Sequence, residues 1–82
     1  MVKGELNSHF RKDLNMTNTF ELEKAIRVKG LTKKAVALSL GLTEQGFLLK
    51  LNNKNEFKAS EIQFLCEMLD CSKDIFFASN VN

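Results

Sequence analysis

Apolar residues recur at spacings of three and four along most of this sequence, and that period is typical of amphipathic helices. Glycine and asparagine interrupt the pattern at regular intervals, and proline is absent. The first well-marked segment spans residues 20–29, with Thr19 as its expected N-cap and Gly30 as the left-handed residue that ends it. Its expected inner face consists of Leu22, Ala25 and Ile26.

Two shorter helical segments follow, and a tight turn separates them. The first begins after the N-cap Thr32 and ends at Leu40, because Gly41 accepts the positive φ that stops a helix without steric cost. The second begins after Thr43 and ends near Leu51, before a run of asparagine and lysine that is typical of turns. The residues of these segments that we expect to face inward are Val36, Ala37, Leu40, Phe47 and Leu51.

The remaining periodic segments complete a helical domain. A fourth helix is predicted over residues 59–69 with Phe57 packed under its start, and Ser72 caps a short fifth turn through Phe77. The inner face of the fourth helix consists of Ile62, Leu65, Cys66 and Leu69. Together the segments predict an all-α fold, a compact bundle of about five short helices.

The chain is too short for more than one hydrophobic core, because a chain of this size buries only about 60% of its unfolded surface even as a single domain. We divide it into an N-terminal extension at residues 1–18, a domain at residues 19–79 and a tail at residues 80–82. The extension fits either an amphipathic stripe or a frayed tail, and we expect it to be partly disordered. The apolar residues that recur every four positions in it are Val2, Leu6, Phe10 and Leu14.

Composition places the chain among ordinary folded proteins. Apolar residues make up 44% and charged residues 27%, so a packed core is expected rather than disorder. No apolar run is long enough to cross a bilayer, and the first residues lack the apolar region of a secretory signal. We therefore expect a cytoplasmic protein without membrane contact.

The net charge of +2 conceals an uneven distribution. Residues 29–58 carry six lysines and two glutamates, whereas residues 59–82 carry one lysine and four acidic residues. A local basic field of this kind suits a polyanion such as nucleic acid. Lysines on solvated helix faces would explain the same count.

The sequence offers no set of residues for metal binding or catalysis. The single histidine, His9, lies far from Cys66 and Cys71, so no zinc-ligand set of adequate number can be assembled. We expect both thiols to be reduced and structural. The serines have no histidine partner for nucleophilic catalysis. The sequence therefore predicts a protein that is not an enzyme and that uses no cofactor or metal.

Residues 31–51 contain the features of a helix-turn-helix: a small residue where the helices approach, a glycine in the turn, a buried aliphatic residue after it, and an apolar residue on the second helix. These roles fall to Ala37, Gly41, Leu42 and Phe47. The stretch resembles the Cro/C1-type, phage repressor-like helix-turn-helix family, and the resemblance covers about Leu22 to Phe77. The further segments that resemble its small phage- or prophage-encoded regulators are Lys50-Leu51-Asn52-Asn53-Lys54, Glu56-Phe57, Glu61-Ile62 and Ile75-Phe76-Phe77.

This resemblance implies a lambda-repressor-like fold with the helix-turn-helix at helices 2 and 3, in a sequence-specific transcriptional regulator that binds a double-stranded DNA operator. The recognition helix, about residues 43–51, would enter the major groove of the operator. Two copies would form a homodimer, because one helix-turn-helix reads only a few base pairs. The residues implied in base reading are Thr43, Glu44, Gln45, Gly46 and Leu49. The residues implied in phosphate binding are Thr32, Lys33, Lys34, Asn52, Asn53 and Lys54, with Lys29 and Lys58 extending the contact.

The side chains of the third helix leave two functions open. Gln45 can bond N6 and N7 of adenine, Glu44 can accept from cytosine N4, and Leu49 can contact a thymine methyl. Neighbouring leucines also fit a protein-docking surface, so the alternative is a modulator or antirepressor that binds another repressor protein. One leucine can instead join the core, and Leu48 fits that place better than Leu49. Phe76, Phe77 and Val81 fit a dimer surface, although the two phenylalanines fit closure of the core over the fourth helix equally well. The apolar stripe of the N-terminal extension is the other candidate for the dimer surface.

Overall fold

A computed structural model describes residues 16–78, and this part of the chain is all-helical with no strand. Its elements are α1 (Thr19–Val28), α2 (Lys33–Ser39), α3 (Glu44–Leu51), α4 (Ala59–Leu69) and a 3₁₀ helix (Lys73–Phe77). The predicted all-α class is confirmed, and the fifth element is a 3₁₀ turn instead of an α-helix. No helix within residues 16–78 has the length and apolar character needed to cross a membrane.

Side-chain caps start α2 and α3 where the sequence predicts them. The hydroxyl of Thr32 accepts a hydrogen bond from the Ala35 amide at 3.0 Å, and the hydroxyl of Thr43 accepts one from the Gly46 amide, also at 3.0 Å. Each bond satisfies an amide that has no partner inside its helix. The same local chemistry therefore positions the first turns of both helices.

The predicted N-cap of the first helix was wrong by one residue. Asn18 is the cap, and its Oδ1 accepts from the Glu21 amide at 3.1 Å. Thr19 is instead the first helical residue, and its hydroxyl donates to the carbonyl oxygen of Leu51 at 2.7 Å. Both residues are good caps, so a contact with α3 decided between them.

Two glycines separate the first three helices. Gly30 has φ +72° and Gly41 has φ +76°, and both lie just beyond a helix end as predicted. No heavy atom outside the neighbouring residues lies within 4 Å of the position that a Cβ would take at either glycine. Backbone conformation, not crowding, therefore explains why glycine occurs at both turns.

The core lies between all five elements. Three of its aromatic rings are in contact: the ring centroid of half-buried Phe57 lies 6.0 Å from that of Phe47 and 5.3 Å from that of Phe76. The buried apolar residues are Leu22, Ile26, Val36, Ala37, Phe47, Leu51, Ile62, Leu65, Leu69 and Phe76. The half-buried residues that pack against them include Ala25, Leu40, Leu48, Phe57 and Cys66. The predicted inner faces are therefore confirmed, with Ala25, Leu40 and Cys66 at the edge of the core.

Residues 16–18, which the sequence places in the extension, are hydrogen-bonded to the helical domain. The amide of Asn18 donates to the Ile75 carbonyl at 2.7 Å, and the Met16 carbonyl accepts from the Ala78 amide at 3.0 Å. Thr17 is buried between them. The folded unit therefore includes these three residues. The apolar stripe of residues 2–14 and Val81 lie outside the described residues.

Candidate nucleic-acid interface

The connection between α2 and α3 is a four-residue turn at residues 40–43. The Leu42 amide donates to the Ala37 carbonyl at 2.9 Å, which folds the chain back against the end of α2. Ala37 is fully buried, so the helices meet where a larger side chain would push them apart. The small residue, the glycine and the aliphatic residue predicted for the turn are Ala37, Gly41 and Leu42, and all three lie in the turn or at its edge.

The N-terminus of α2 and the first residue of α3 line one open cleft of about 420 Å³. α1 forms the other wall of this cleft. The charged residues that line it are Glu23, Arg27, Lys33, Lys34 and Glu44, and Thr32 lies beside them. The tertiary structure therefore places two of the three predicted phosphate-binding lysines, Lys33 and Lys34, next to the first residue of the predicted recognition helix.

One side of α3 is buried and the other is open to solvent. Phe47 and Leu51 are fully buried, whereas Gln45 is exposed and Leu49 is 38% exposed. Leu48 is half-buried and packs against the core, so the expectation that Leu48 fits the core better than Leu49 is confirmed. Gln45 and Leu49 can therefore reach a partner molecule. The other predicted base-reading residues are Thr43 and Glu44, both exposed, and Gly46, which is half-buried.

The predicted phosphate-binding residues differ in how free their side chains are. Lys34 and Lys54 are exposed and form no ion pair with another residue of the segment 16–78. Lys33 donates to Oε2 of Glu23 at 2.9 Å. The exposed hydroxyl of Thr32 accepts from the Ala35 amide, and the exposed Asn52 side chain donates to the Leu48 carbonyl at 3.0 Å. The side chains of Lys33, Thr32 and Asn52 are thus held by contacts within the protein, whereas those of Lys34 and Lys54 form no ion pair within residues 16–78.

Asn53 has a structural task that the sequence does not indicate. Its Nδ2 donates to the Thr17 carbonyl at 2.9 Å, and its Oδ1 accepts from the Thr17 amide at 2.7 Å. Its own backbone adopts the left-handed conformation with φ +65°. The turn residue that we assigned to phosphate therefore holds residues 16–18 against the domain, and only the second N–H of its side-chain amide is left for a phosphate.

A largely buried ion pair between α3 and α4 was missed in the sequence. Nζ of Lys50 lies 2.7 Å from Oε1 and 2.9 Å from Oε2 of Glu61, and Oε1 also accepts from the Lys58 amide at 2.9 Å. Burial raises the pKa of Glu61, but these hydrogen bonds and the two lysine charges together lower that pKa below its ordinary value. The available signal was a glutamate at the third position of a helix, where it can bond the N-cap amide.

The two cysteines are half-buried free thiols, as expected. Burial, followed by the influence of neighbouring Cys66, raises the pKa of Cys71 to about 11, so this thiol is protonated at neutral pH. Within residues 16–78 no group of three or more histidine, cysteine or acidic side chains is arranged to hold a metal ion. His9 lies outside the described residues.

Of the residues of α3, Glu44 lines the cleft, and we group the cleft with the exposed α3 residues Gln45 and Leu49 as one candidate site, which we call the cleft–α3 face. It is defined by Arg27, Lys33, Lys34, Glu44, Gln45 and Leu49. Arg27 of α1 and the two lysines of α2 line the cleft together with Glu44, the first residue of α3. The side-chain amide of Gln45 follows on α3, and the apolar side chain of Leu49 lies one turn further along that helix. In comparisons with known proteins, no family model, curated protein or solved structure matches this chain.

Proposed function

We propose that this protein is a sequence-specific DNA-binding transcriptional regulator of the Cro/C1 type, with a lambda-repressor-like fold in which α2 and α3 form the helix-turn-helix. The observation that carries the proposal is the cleft–α3 face, where Lys33 and Lys34 at the start of α2 lie beside the exposed first turn of α3. In a helix-turn-helix, the second helix reads base edges while neighbouring elements contact the backbone. The same division of labour fits the charges and the exposure of this face.

In the proposed complex, α3 lies in the major groove and the lysines contact phosphates. Gln45 bonds N6 and N7 of adenine, Glu44 accepts from cytosine N4, and Leu49 contacts a thymine methyl. Lys34 and Lys54, which are exposed, contact the backbone on the same duplex. These assignments separate sequence reading from general affinity, so they predict different effects of substitution.

Two copies are needed for useful specificity, because one such helix reads only a few base pairs. Of the paired phenylalanines near the C-terminus, Phe76 closes the core and Phe77 is 49% exposed. Phe77 is therefore the member of the pair that is available for a homodimer contact.

The proposal is tested by fluorescence anisotropy with the DNA upstream of the gene and a scrambled duplex, each at two salt concentrations. Lys34→Ala should weaken binding to both duplexes and flatten the salt slope by about 0.9. Gln45→Ala should cost about 1 to 3 kcal/mol at particular bases only. Lys24→Ala is the matched control, because Lys24 is an exposed lysine on α1 that does not line the cleft. The absence of binding to either duplex at low salt would refute the proposal.

A second candidate function is suggested by the apolar surface of α3. Leu49 is 38% exposed and follows the acidic start of the helix, an arrangement that also fits docking to another repressor protein. Under this alternative the protein is an antirepressor, and Leu49→Ala abolishes binding of the partner repressor. Under the DNA-binding proposal, Leu49→Ala instead weakens DNA binding at sites that contain the contacted thymine.

A further inference from the structure

The cleft contains one paired cation beside two cations without an ion pair. Nζ of Lys33 lies 2.9 Å from Oε2 of Glu23, and their side chains are 40% and 30% exposed. Arg27 and Lys34 line the same cleft and form no ion pair with another residue of the segment 16–78. Glu23 comes from α1, so the carboxylate that neutralises Lys33 is not part of the helix pair that we propose binds DNA.

We infer that Glu23 lowers the affinity of this protein for DNA, because its carboxylate competes with a DNA phosphate for the ammonium group of Lys33. This inference rests on the proposed DNA-binding function. For Lys33 to contact a phosphate, its bond to Glu23 must break, and the freed carboxylate then lies close to the polyanion. Both effects oppose binding, while Arg27 and Lys34 keep the cleft attractive to a phosphate.

The geometry favours exchange over a permanent ion pair. Glu23 and Lys33 form a single hydrogen bond on a solvent-accessible surface, where such pairs are weak and screened by salt. A DNA phosphate in the same position carries the added gain of counterion release. Lys33 is therefore held in the cleft in the free protein and becomes available when the duplex arrives.

The test compares the full chain with Glu23→Gln by fluorescence anisotropy on the duplex used above. Glu23→Gln should bind about two- to five-fold more tightly at low salt, the range that corresponds to loss of an exposed ion pair. Its salt slope should steepen by up to about 0.9, the value for one additional neutralised phosphate. Glu21→Gln is the matched control, because it makes the same charge change on α1 at a residue that does not line the cleft.

A double-mutant comparison isolates the competition from the change in net charge. In a Lys33→Gln background, the gain from Glu23→Gln should shrink, because the competition for Lys33 is gone and only the repulsion between the Glu23 carboxylate and the duplex is left to remove. An equal gain for Glu23→Gln and Glu21→Gln, or a gain undiminished in the Lys33→Gln background, would overturn the inference while leaving DNA binding in place. Failure of the unsubstituted protein to bind any duplex at low salt would overturn the proposed function and this inference together.

Discussion

Within residues 16–78, two lysine–glutamate ion pairs join neighbouring helices, and they differ in their access to water. The pair between Lys50 of α3 and Glu61 of α4 has side chains that are only 12% and 10% exposed, and the ammonium contacts both carboxylate oxygens. The pair between Lys33 of α2 and Glu23 of α1 is 40% and 30% exposed and has one hydrogen bond. The same two residue types therefore form a largely buried pair in one region and a solvent-accessible pair in the other.

Exposure to water determines how much free energy is lost when either ion pair is separated. A charge that has been removed from water needs its partner, because an unpaired buried ion costs several kcal/mol of free energy. A charge that water still reaches loses little when its partner leaves, so it is available to bind another anion. The basic segment at residues 29–58 includes both lysines, and the charge count does not distinguish the one that packs against α4 from the one that lines the cleft.

Breaking the buried pair should have the largest effect. Glu61→Ala should lower the free energy of unfolding by about 3 kcal/mol, because it leaves the ammonium of Lys50 largely buried without its partner. Urea unfolding at neutral pH measures the change. Glu67→Ala is the matched control, since Glu67 is an exposed glutamate on the same helix, and its effect should stay below about 0.5 kcal/mol. A loss below about 1 kcal/mol for Glu61→Ala would contradict the distinction between the two pairs.

Acid should weaken the same contact through the titration of Glu61. The folded protein holds the pKa of Glu61 below its ordinary value of 4.5, so the carboxylate stabilises the fold fully above that value. This stabilisation is lost as the pH falls through the lower pKa of the folded state. Thermal unfolding of the unsubstituted protein and Glu61→Gln from pH 7 downward should show a difference in Tm that is constant near neutrality and closes in acid. A difference that widens in acid would contradict the lowered pKa.

Breaking the exposed pair should have the smallest effect on stability. Lys33→Ala should lower the free energy of unfolding by less than about 1 kcal/mol at low salt, because solvent screens this pair. In about 1 M salt, where the screening length is near 3 Å, the difference from the unsubstituted protein should vanish. Urea unfolding at the two salt concentrations is the measurement. A loss above about 2 kcal/mol that persists in high salt would mean that this pair behaves like the buried one.

Helix limits were predictable wherever the signal is local. Thr32 and Thr43 bond an amide three residues ahead, and Gly30 and Gly41 adopt a backbone conformation that other residues rarely take. The first helix shows the limit of such reasoning. Asn18 and Thr19 are both capable caps, and the choice depended on a hydrogen bond from Thr19 to a carbonyl 32 residues away.

The part of the candidate site that lies on α3 was predictable from the sequence, and the part that comes from α1 was not. Helical periodicity indicates that Phe47 and Leu51 share the buried side of α3 and that Leu49 lies outside it. The inclusion of Arg27 and Glu23 beside Lys33 and Lys34, the lysines predicted to bind phosphate, was not predictable, because Arg27 and Glu23 belong to another helix. Only the packing of α1 against α2 brings them together.

By itself, the sequence determined the helical class, the limits of most helices and the apolar face that each helix buries, because caps, turn glycines and periodicity act within a few residues of the chain. Only the tertiary structure decided which polar side chains form hydrogen bonds or ion pairs with other parts of the folded chain. The partner of Asn53 is 36 residues away, and that of Lys50 is 11 residues away on another helix. The energy of such contacts depends on distance and burial, which are set when the helices pack together.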